Sequence, residues 1–250
     1  MKNSHKVILF LIIFSVFFLL LRTGGSYVYY NVSTLISDLG GLTYLYSTIG
    51  IIFAIFSAFV ILSENERWNN LVDATKGEVN ELNELWLWSK HFPKSLGDKF
   101  HKIIKSYLAS VIKQGWKKTE QGQKSDEIEK IVSELHNSIF EVLKEAPDLM
   151  PTTFEIFMDI LKHRSERLHY ASFHLPKILK YTLLFSDVLL IGLSLLIGVR
   201  DTWLDYIFVL AIATLGYVIY IVVDDLDNPL RPGGWHLTTK DYKELLNKIK

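Results

Sequence analysis

Four polar residues near the end of the chain have the types and spacing that could hold a metal ion. Asp224, Asp225, Asp227 and Asn228 directly follow a long apolar segment, and carboxylate and amide oxygens are the ligands that hard cations such as Ca²⁺ prefer. Acidic clusters at a membrane edge also serve as solvated anchors or as partners of nearby lysines and arginines. The sequence therefore leaves two interpretations open, a cation site and a charged helix end.

The other polar residues give little sign of catalysis or of a bound cofactor. Glu166 and His169 have the spacing of a di-iron ligand pair, but such sites need a second pair and two further carboxylates. A solvated or salt-bridged helix face is the simpler interpretation. Glycine-rich phosphate loops, nucleophile elbows and His-Glu-x-x-His motifs do not occur in the sequence. We therefore predict no enzyme activity and no cofactor.

Composition excludes further classes of function. The sequence has no cysteine, which rules out disulfides, zinc–thiolate sites and iron–sulfur clusters. Its 27 basic and 27 acidic residues balance, and without a basic surface nucleic-acid binding is not expected. Hydrophobic residues make up 49% of the 250 residues and are clustered, which indicates a chain that is partly dissolved in lipid.

Four apolar segments are long enough to cross a bilayer as helices, which takes about 20 residues. We place the spans at about 7–22, 42–63, 179–199 and 204–223. The first span follows Lys2 and Lys6 and could instead be the apolar part of a signal peptide, but no small-x-small cleavage site follows it. A retained helix is the preferred interpretation.

Asp187 interrupts the third span. A charge in hydrocarbon costs on the order of 3 kcal/mol unless it faces protein or water. The residue is therefore either part of an ion pathway or a buried, hydrogen-bonded partner of another helix, and the sequence does not decide between the two.

The distribution of basic residues gives the topology. The loops after the first and third spans contain one basic residue between them, Arg200, whereas the other flanks contain many. By the positive-inside rule, both termini and the long segment after the second span are cytosolic, in a protein of the cell (inner) membrane. We predict an all-α protein with transmembrane residues 1–63, a helical cytosolic domain at 64–176, transmembrane residues 177–224 and a cytosolic C-terminal segment at 225–250.

Apolar periodicity predicts helices throughout the cytosolic domain. Trp68, Val72 and Val79 belong to a 4-3 pattern that runs on from the second span, so this span should continue as one long helix. A later helix should have Asp126 and Glu127 in its first turn, and the last should begin at Thr152, whose hydroxyl would form a capping box with Glu155.

The second span has two informative rows of residues. Gly50, Ala54 and Ala58 recur at every fourth position, a pattern that lets membrane helices approach closely. Next to them, large apolar side chains recur with the same period, at Ile51, Ile55 and Phe59. If copies of this helix pack around an axis through the small residues, the large ones can form stacked rings that gate ions by dewetting. Periodicity alone favours a plainer interpretation, in which the large row faces lipid or another span.

Several short motifs resemble those of the bestrophin-like superfamily, in the branch of bacterial bestrophin-like membrane proteins. They are Ile51-x-x-x-Ile55-x-x-x-Phe59, Arg67-Trp68-x-Asn70, Tyr107, Val111-Ile112-x-x-Gly115-Trp116, Arg164-x-x-Arg167-Leu168, Leu175-Pro176 and Leu226-Asp227-Asn228-Pro229-Leu230. Their order and spacing match the family, although Gly115 stands where the branch usually has Glu.

The resemblance implies a ring of subunits, five in known bestrophins, around one ion pore. It implies that Ile51, Ile55 and Phe59 form the neck of this pore, with Gly50, Ala54 and Ala58 packing around it. In bestrophins that are gated by calcium, an acidic run follows the Asn-Pro-Phe element, but here Arg231 follows Leu230. A calcium site of that kind is therefore not expected.

The resulting hypothesis is a homo-oligomeric channel, a pentamer by resemblance, that conducts ions passively, with anions such as chloride as the expected ions. Its partners would be other copies of the chain, the lipid bilayer and the permeating ions. The alternative from another class is a non-conducting membrane scaffold or sensor whose cytosolic helices bind a partner.

Overall fold

The computed structural model describes residues 2–24, 39–114, 125–197 and 201–249. These residues form helices and no strand. The α-helices are α1 (Lys2–Gly24), α2 (Leu39–Trp88), α3 (Lys94–Gln114), α4 (Asp126–Glu145), α5 (Met150–Ser172), α6 (Lys177–Ile197), α7 (Thr202–Asp227) and α8 (Lys240–Lys248), with short 3₁₀ turns at Ser89–His91 and Pro147–Leu149. Gly115 and Trp116 of the family motifs, Arg200, and residues 25–38 of the predicted outside loop lie outside the described residues.

Two of the predicted helix features are confirmed. The second span and the 4-3 pattern that follows it form one helix of 50 residues, α2. Helix α4 begins at Asp126 and has Asp126 and Glu127 in its first turn. Carboxylates at this end of a helix interact favourably with the helix dipole.

The predicted start of the last helix in the segment 64–176 is wrong. Helix α5 begins at Met150, two residues earlier than expected, and Leu149 occupies its N-cap position without a side-chain hydrogen bond. Pro151 explains the shift, because the fixed φ of proline suits the first turn of a helix and its missing N–H costs nothing there. The Thr153 hydroxyl donates to the Leu149 carbonyl at 2.7 Å instead.

Three described helices are long and apolar enough to cross a membrane. They contain the predicted second, third and fourth spans, in α2, α6 and α7. The apolar part of α1, His5–Leu20, is shorter than the 18 residues taken as the minimum for a membrane-spanning helix. A fourth, N-terminal span therefore stays a prediction.

The chain forms two compact units, and the first contains the apolar helices. Unit 1 comprises Met1–Asn65 and His174–Asn228. Side chains of α2, α6 and α7 form one of its apolar clusters, which includes Phe53, Leu183 and Val223. A second cluster joins α1 to α7 through Phe18 and Val209.

Unit 2 comprises Glu66–Phe173 and Pro229–Lys250. Its core is one large cluster from α2, α3, α4 and α5, whose buried residues include Phe100, Leu135 and Phe157. The C-terminal segment belongs to the same core, because Tyr242 and Leu245 of α8 are buried in it. Residues 229–250 are thus part of the second unit and not a separate tail.

Candidate functional site

Helix α2 presents a row of large apolar side chains that the described chain leaves uncovered. Ile51 is 62% exposed, Ile55 67% and Phe59 67%. The buried side chains of the same segment are Phe53 and Val60, which pack in unit 1, and Ser57. Residues 51, 55 and 59 lie within about 80° of each other around the helix, since each residue turns it by about 100°. The three predicted neck residues therefore share one open face.

The row of small residues borders this face. Ala54 and Ala58 are exposed. Gly50 is partly covered by helix α6, because a Cβ at Gly50 would lie 3.9 Å from Leu190 Cδ2. Gly50 thus touches another helix of its own chain, whereas the two alanines leave a shallow strip on α2.

The acidic residues after the fourth predicted span are engaged by a lysine. Lys180 Nζ lies 2.7 Å from Asp224 Oδ1 and 3.1 Å from Asp227 Oδ2. The other oxygen of Asp227 accepts the backbone N–H of Leu175 at 2.7 Å, and the Asn228 amide donates to the Asp224 carbonyl at 2.8 Å. These contacts tie the start of α6 to the end of α7.

This arrangement gives a structural role to the Asp-Asn-Pro element. One carboxylate, Asp227, holds both Lys180 and the backbone that leads into α6. Asp225 is half-buried on the same turn. Among the described residues, no group of three or more His, Asp or Glu side chains is arranged to hold a metal ion.

Glu166 and His169 do not come together. Glu166 Oε2 lies 3.3 Å from His163 Nδ1, while the His169 ring packs edge-on against Tyr170. The di-iron spacing in the sequence therefore corresponds to two unrelated contacts on α5.

Asp187 lies against the backbone of α7. A Cβ at Gly216 would overlap the Asp187 carboxyl group, so the glycine provides the space that this carboxyl occupies. Asp187 Oδ1 is buried and has no hydrogen-bond partner among the described residues. One interpretation of the sequence made Asp187 a hydrogen-bonded partner of another helix, but no described residue donates a hydrogen bond to this oxygen.

This contact makes Gly216 sensitive to substitution. We expect Gly216→Ala to lower the free energy of unfolding by about 1 kcal/mol, the low end of the usual cost of overpacking, because the Asp187 carboxyl can turn away from the added methyl group. Gly192→Ala on α6 is the matched control, since a Cβ there would meet nothing within 4 Å. Melting temperatures in detergent measure both variants, and equal values for the two would contradict the close Asp187–Gly216 contact.

Arg67 of the Arg-Trp element caps helix α5. Its Nη1 donates to the carbonyl oxygens of Tyr170, at 3.3 Å, and of Phe173. The last carbonyls of a helix have no partner within it, and a cation is favoured there by the helix dipole. The element therefore joins α2 to the end of α5 within unit 2.

A buried ion pair lies at the centre of unit 2. Glu78 of α2 is fully buried, and Arg167 of α5 is 3% exposed. Arg167 Nε donates to Glu78 Oε2 at 2.7 Å, and the Tyr107 hydroxyl donates to Glu78 Oε1 at 2.6 Å. Tyr242 of α8 lies beside them, with its ring 6.0 Å from the Arg167 guanidinium carbon.

The surroundings fix the charges of these groups. Burial, followed by the negative charge of Glu78, raises the pKa of Tyr107, so this phenol stays neutral. Burial alone would lower the pKa of Arg167, but the Glu78 carboxylate raises it well above the usual value. Arg167 therefore keeps its positive charge beside Glu78, and Tyr107 stays a neutral hydrogen-bond donor.

Sequence reasoning missed Glu78. It found Tyr107 and Arg167 only as parts of family motifs. The missed signal is the position of Glu78 between Leu71 and Leu82, on the buried stripe of α2, because a carboxylate in such a stripe needs a buried partner.

These observations define the class of protein. The described chain is all-α, with apolar helices gathered in one unit and a polar helical bundle in the other, and a single helix, α2, contributes to both. Uncovered apolar side chains on α2, α6 and α7 are typical of a protein that is embedded in lipid.

A family model described as the Bestrophin-like domain matches residues 39–231. The chain therefore belongs to the bestrophin-like family, as the motifs predicted. Membership in this family supports a membrane channel of the bestrophin type in general.

Solved structures share the fold. A crystal structure of a bacterial bestrophin homologue from Klebsiella pneumoniae has 13% identity and a TM-score of 0.74, over 98% of this chain and 97% of that one. A crystal structure of a membrane-protein variant has 15% identity and a TM-score of 0.76, over 100% of this chain and 98% of the other. These identities show the fold alone. No curated protein sequence matches the chain.

Proposed function

We propose that copies of this chain form a ring around one passive ion pore, and that Ile51, Ile55 and Phe59 of α2 form its neck. Family membership supports a channel in general. The observation that carries the neck assignment is the open face of α2, where three large apolar side chains on one face are each more than 60% exposed.

Exposure alone is not decisive, since lipid can cover such a face as well. The neighbouring small residues favour a second copy of α2 instead. Ala54 and Ala58 are exposed beside the row, and small side chains let membrane helices approach closely. A neighbouring copy that packs on this strip would leave the large side chains pointing towards the axis. The resemblance to known bestrophins makes five the expected number of copies.

The chemistry of the proposed neck is that of a hydrophobic gate. Rings of Ile and Phe offer no hydrogen bonds to water or to a hydrated ion, so a narrow neck loses its water and closes to ions without a physical plug. Conduction then requires the rings to move apart. The neck itself carries no charge, and we therefore expect it to set the rate of conduction more than the sign of the ion.

Anions such as chloride stay the expected ions, on the resemblance alone. A reversal potential measured across a bilayer with a KCl gradient tests this part. A value near the chloride equilibrium potential supports it, and a value near the potassium equilibrium potential would show that cations permeate instead.

The proposal as a whole is tested by reconstitution. Purified protein in liposomes should release a trapped ion down its gradient without an energy source, and its mass in detergent should correspond to a closed ring. Empty liposomes and liposomes with an unrelated helical membrane protein are the controls. A monomer or dimer without ion flux would favour the scaffold or sensor alternative.

A further inference from the structure

Asp187 is a titratable group that the proposed pore does not use. It lies in the middle of α6, in a stretch from Tyr181 to Ile197 that has no other charged residue. Its Oδ1 atom is buried without a hydrogen-bond partner among the described residues. Gly216 leaves the backbone of α7 uncovered where the carboxyl lies.

Charged groups that could balance a carboxylate there are distant or already engaged. Lys180 is two helical turns away on α6, about 10 Å along the axis, and its ammonium binds Asp224 and Asp227. On α7, residues 206–223 include no charged side chain, and on α2 none occurs from Leu39 to Ser63. On α1, His5 and Lys6 lie about one turn before Phe10, whose ring stacks on Tyr217.

The remaining titratable side chains of these helices are phenols or lie near the helix ends. Over residues 39–63 of α2, 181–197 of α6 and 205–227 of α7 they are Tyr44, Tyr46, Tyr181, Asp205, Tyr206, Tyr217, Tyr220, Asp224, Asp225 and Asp227. A phenol is neutral at neutral pH, and none of these groups forms a hydrogen bond with Asp187 Oδ1.

We propose that Asp187 is a proton-binding site inside the membrane, where its carboxyl group carries a proton at neutral pH. A carboxylate without a cation or donors in an apolar setting is strongly disfavoured, and taking up a proton removes the charge. The protonated acid has an O–H that can donate to the helix backbone. This inference is independent of ion conduction.

A hydrophobic carbodiimide tests the protonated form. The acid transfers its proton to one nitrogen of the reagent, and its oxygen bonds to the central carbon. The acyl group then moves to nitrogen, so that the whole reagent is added and nothing leaves. With dicyclohexylcarbodiimide and protein in liposomes at pH 7, we expect a stable adduct on the α6 peptide, detected by mass spectrometry. Asp187→Asn should have no adduct at this position.

A second measurement does not depend on access of the reagent. Asparagine resembles the protonated acid, so the melting temperatures of the wild type and Asp187→Asn should be most similar at low pH, where the unfolded wild-type chain is protonated as well. At higher pH the unfolded chain releases this proton while the folded protein keeps it, so only the wild type is destabilised, until the folded protein loses the proton too. The melting temperature of the wild type should therefore fall relative to the variant between pH 5 and pH 10.

Two results would support a proton on Asp187: a carbodiimide adduct on this residue, or a melting temperature of the wild type that falls relative to that of Asp187→Asn as the pH rises. If no adduct forms at any pH and the difference in melting temperature stays constant from pH 5 to pH 10, the carboxyl does not bind a proton there and the proposal is overturned. Ion flux enters neither measurement, so a failure of the proposed channel would leave this result unchanged.

Discussion

Replacing the three proposed neck residues by alanine, in Ile51→Ala, Ile55→Ala and Phe59→Ala together, should raise the rate of ion flux through reconstituted protein by about tenfold or more. A wider and less apolar constriction keeps its water, so the ion no longer has to cross a dry segment. A tenfold change corresponds to a barrier that is lower by about 1.4 kcal/mol. Ion release from liposomes at a fixed protein-to-lipid ratio measures it.

Leu215 on α7 provides a control for this prediction. It is a large apolar side chain with the same exposed fraction as Ile51, 62%, but it lies on a different helix from the proposed neck. Leu215→Ala should leave the flux within about twofold of the wild type, whereas Ile51→Ala should raise it. Equal fluxes for the two single variants would contradict the assignment of the row to the pore.

Breaking the buried ion pair of unit 2 should have the largest effect on stability. Arg167→Met leaves the Glu78 carboxylate buried without its cation, and removing one partner of such a pair costs about 3–5 kcal/mol. Tyr107 still donates one hydrogen bond to Glu78, but a neutral donor does not replace the lost charge. We expect a much lower melting temperature in detergent and poor recovery of folded protein.

The exposed ion pair between Lys99 and Glu141 is the control. Its nitrogen–oxygen distance is similar, 2.6 Å, but its side chains are 37% and 41% exposed. Exposed pairs contribute about 0–1 kcal/mol because water screens them, so Lys99→Met should change the melting temperature little. If Lys99→Met and Arg167→Met lowered the melting temperature by similar amounts, burial would not set the strength of the Glu78–Arg167 contact.

Local patterns were sufficient to predict that the second span continues as one long helix. The 4-3 pattern around Trp68 and Val72 continues in phase with the second span, and a continuous phase predicts a continuous helix such as α2. The start of α5 could not be predicted as well, because Thr152 fits a cap by type, whereas Pro151 allows the first turn to begin earlier.

Contacts between distant residues could not be predicted from periodicity. Phe53 and Ile55 are both apolar positions on α2, and which of them is covered depends on α6 and α7, more than a hundred residues further on. Glu78 and Arg167 are 89 residues apart. The acidic cluster is a further example. Its two interpretations stayed open because the sequence does not show that Lys180 of α6 lies beside Asp224 and Asp227 of α7.

The central claim, that α2 forms the neck, is tested most directly by a single cysteine. The sequence contains none, so Ile55→Cys places one thiol per subunit at the proposed axis, where a ring of thiolates binds a soft metal ion such as Cd²⁺. We predict that Cd²⁺ blocks the current of Ile55→Cys and leaves that of the wild type and of Leu215→Cys on α7 unchanged. A current through Ile55→Cys that Cd²⁺ does not affect, or a block of Leu215→Cys instead, would contradict the account.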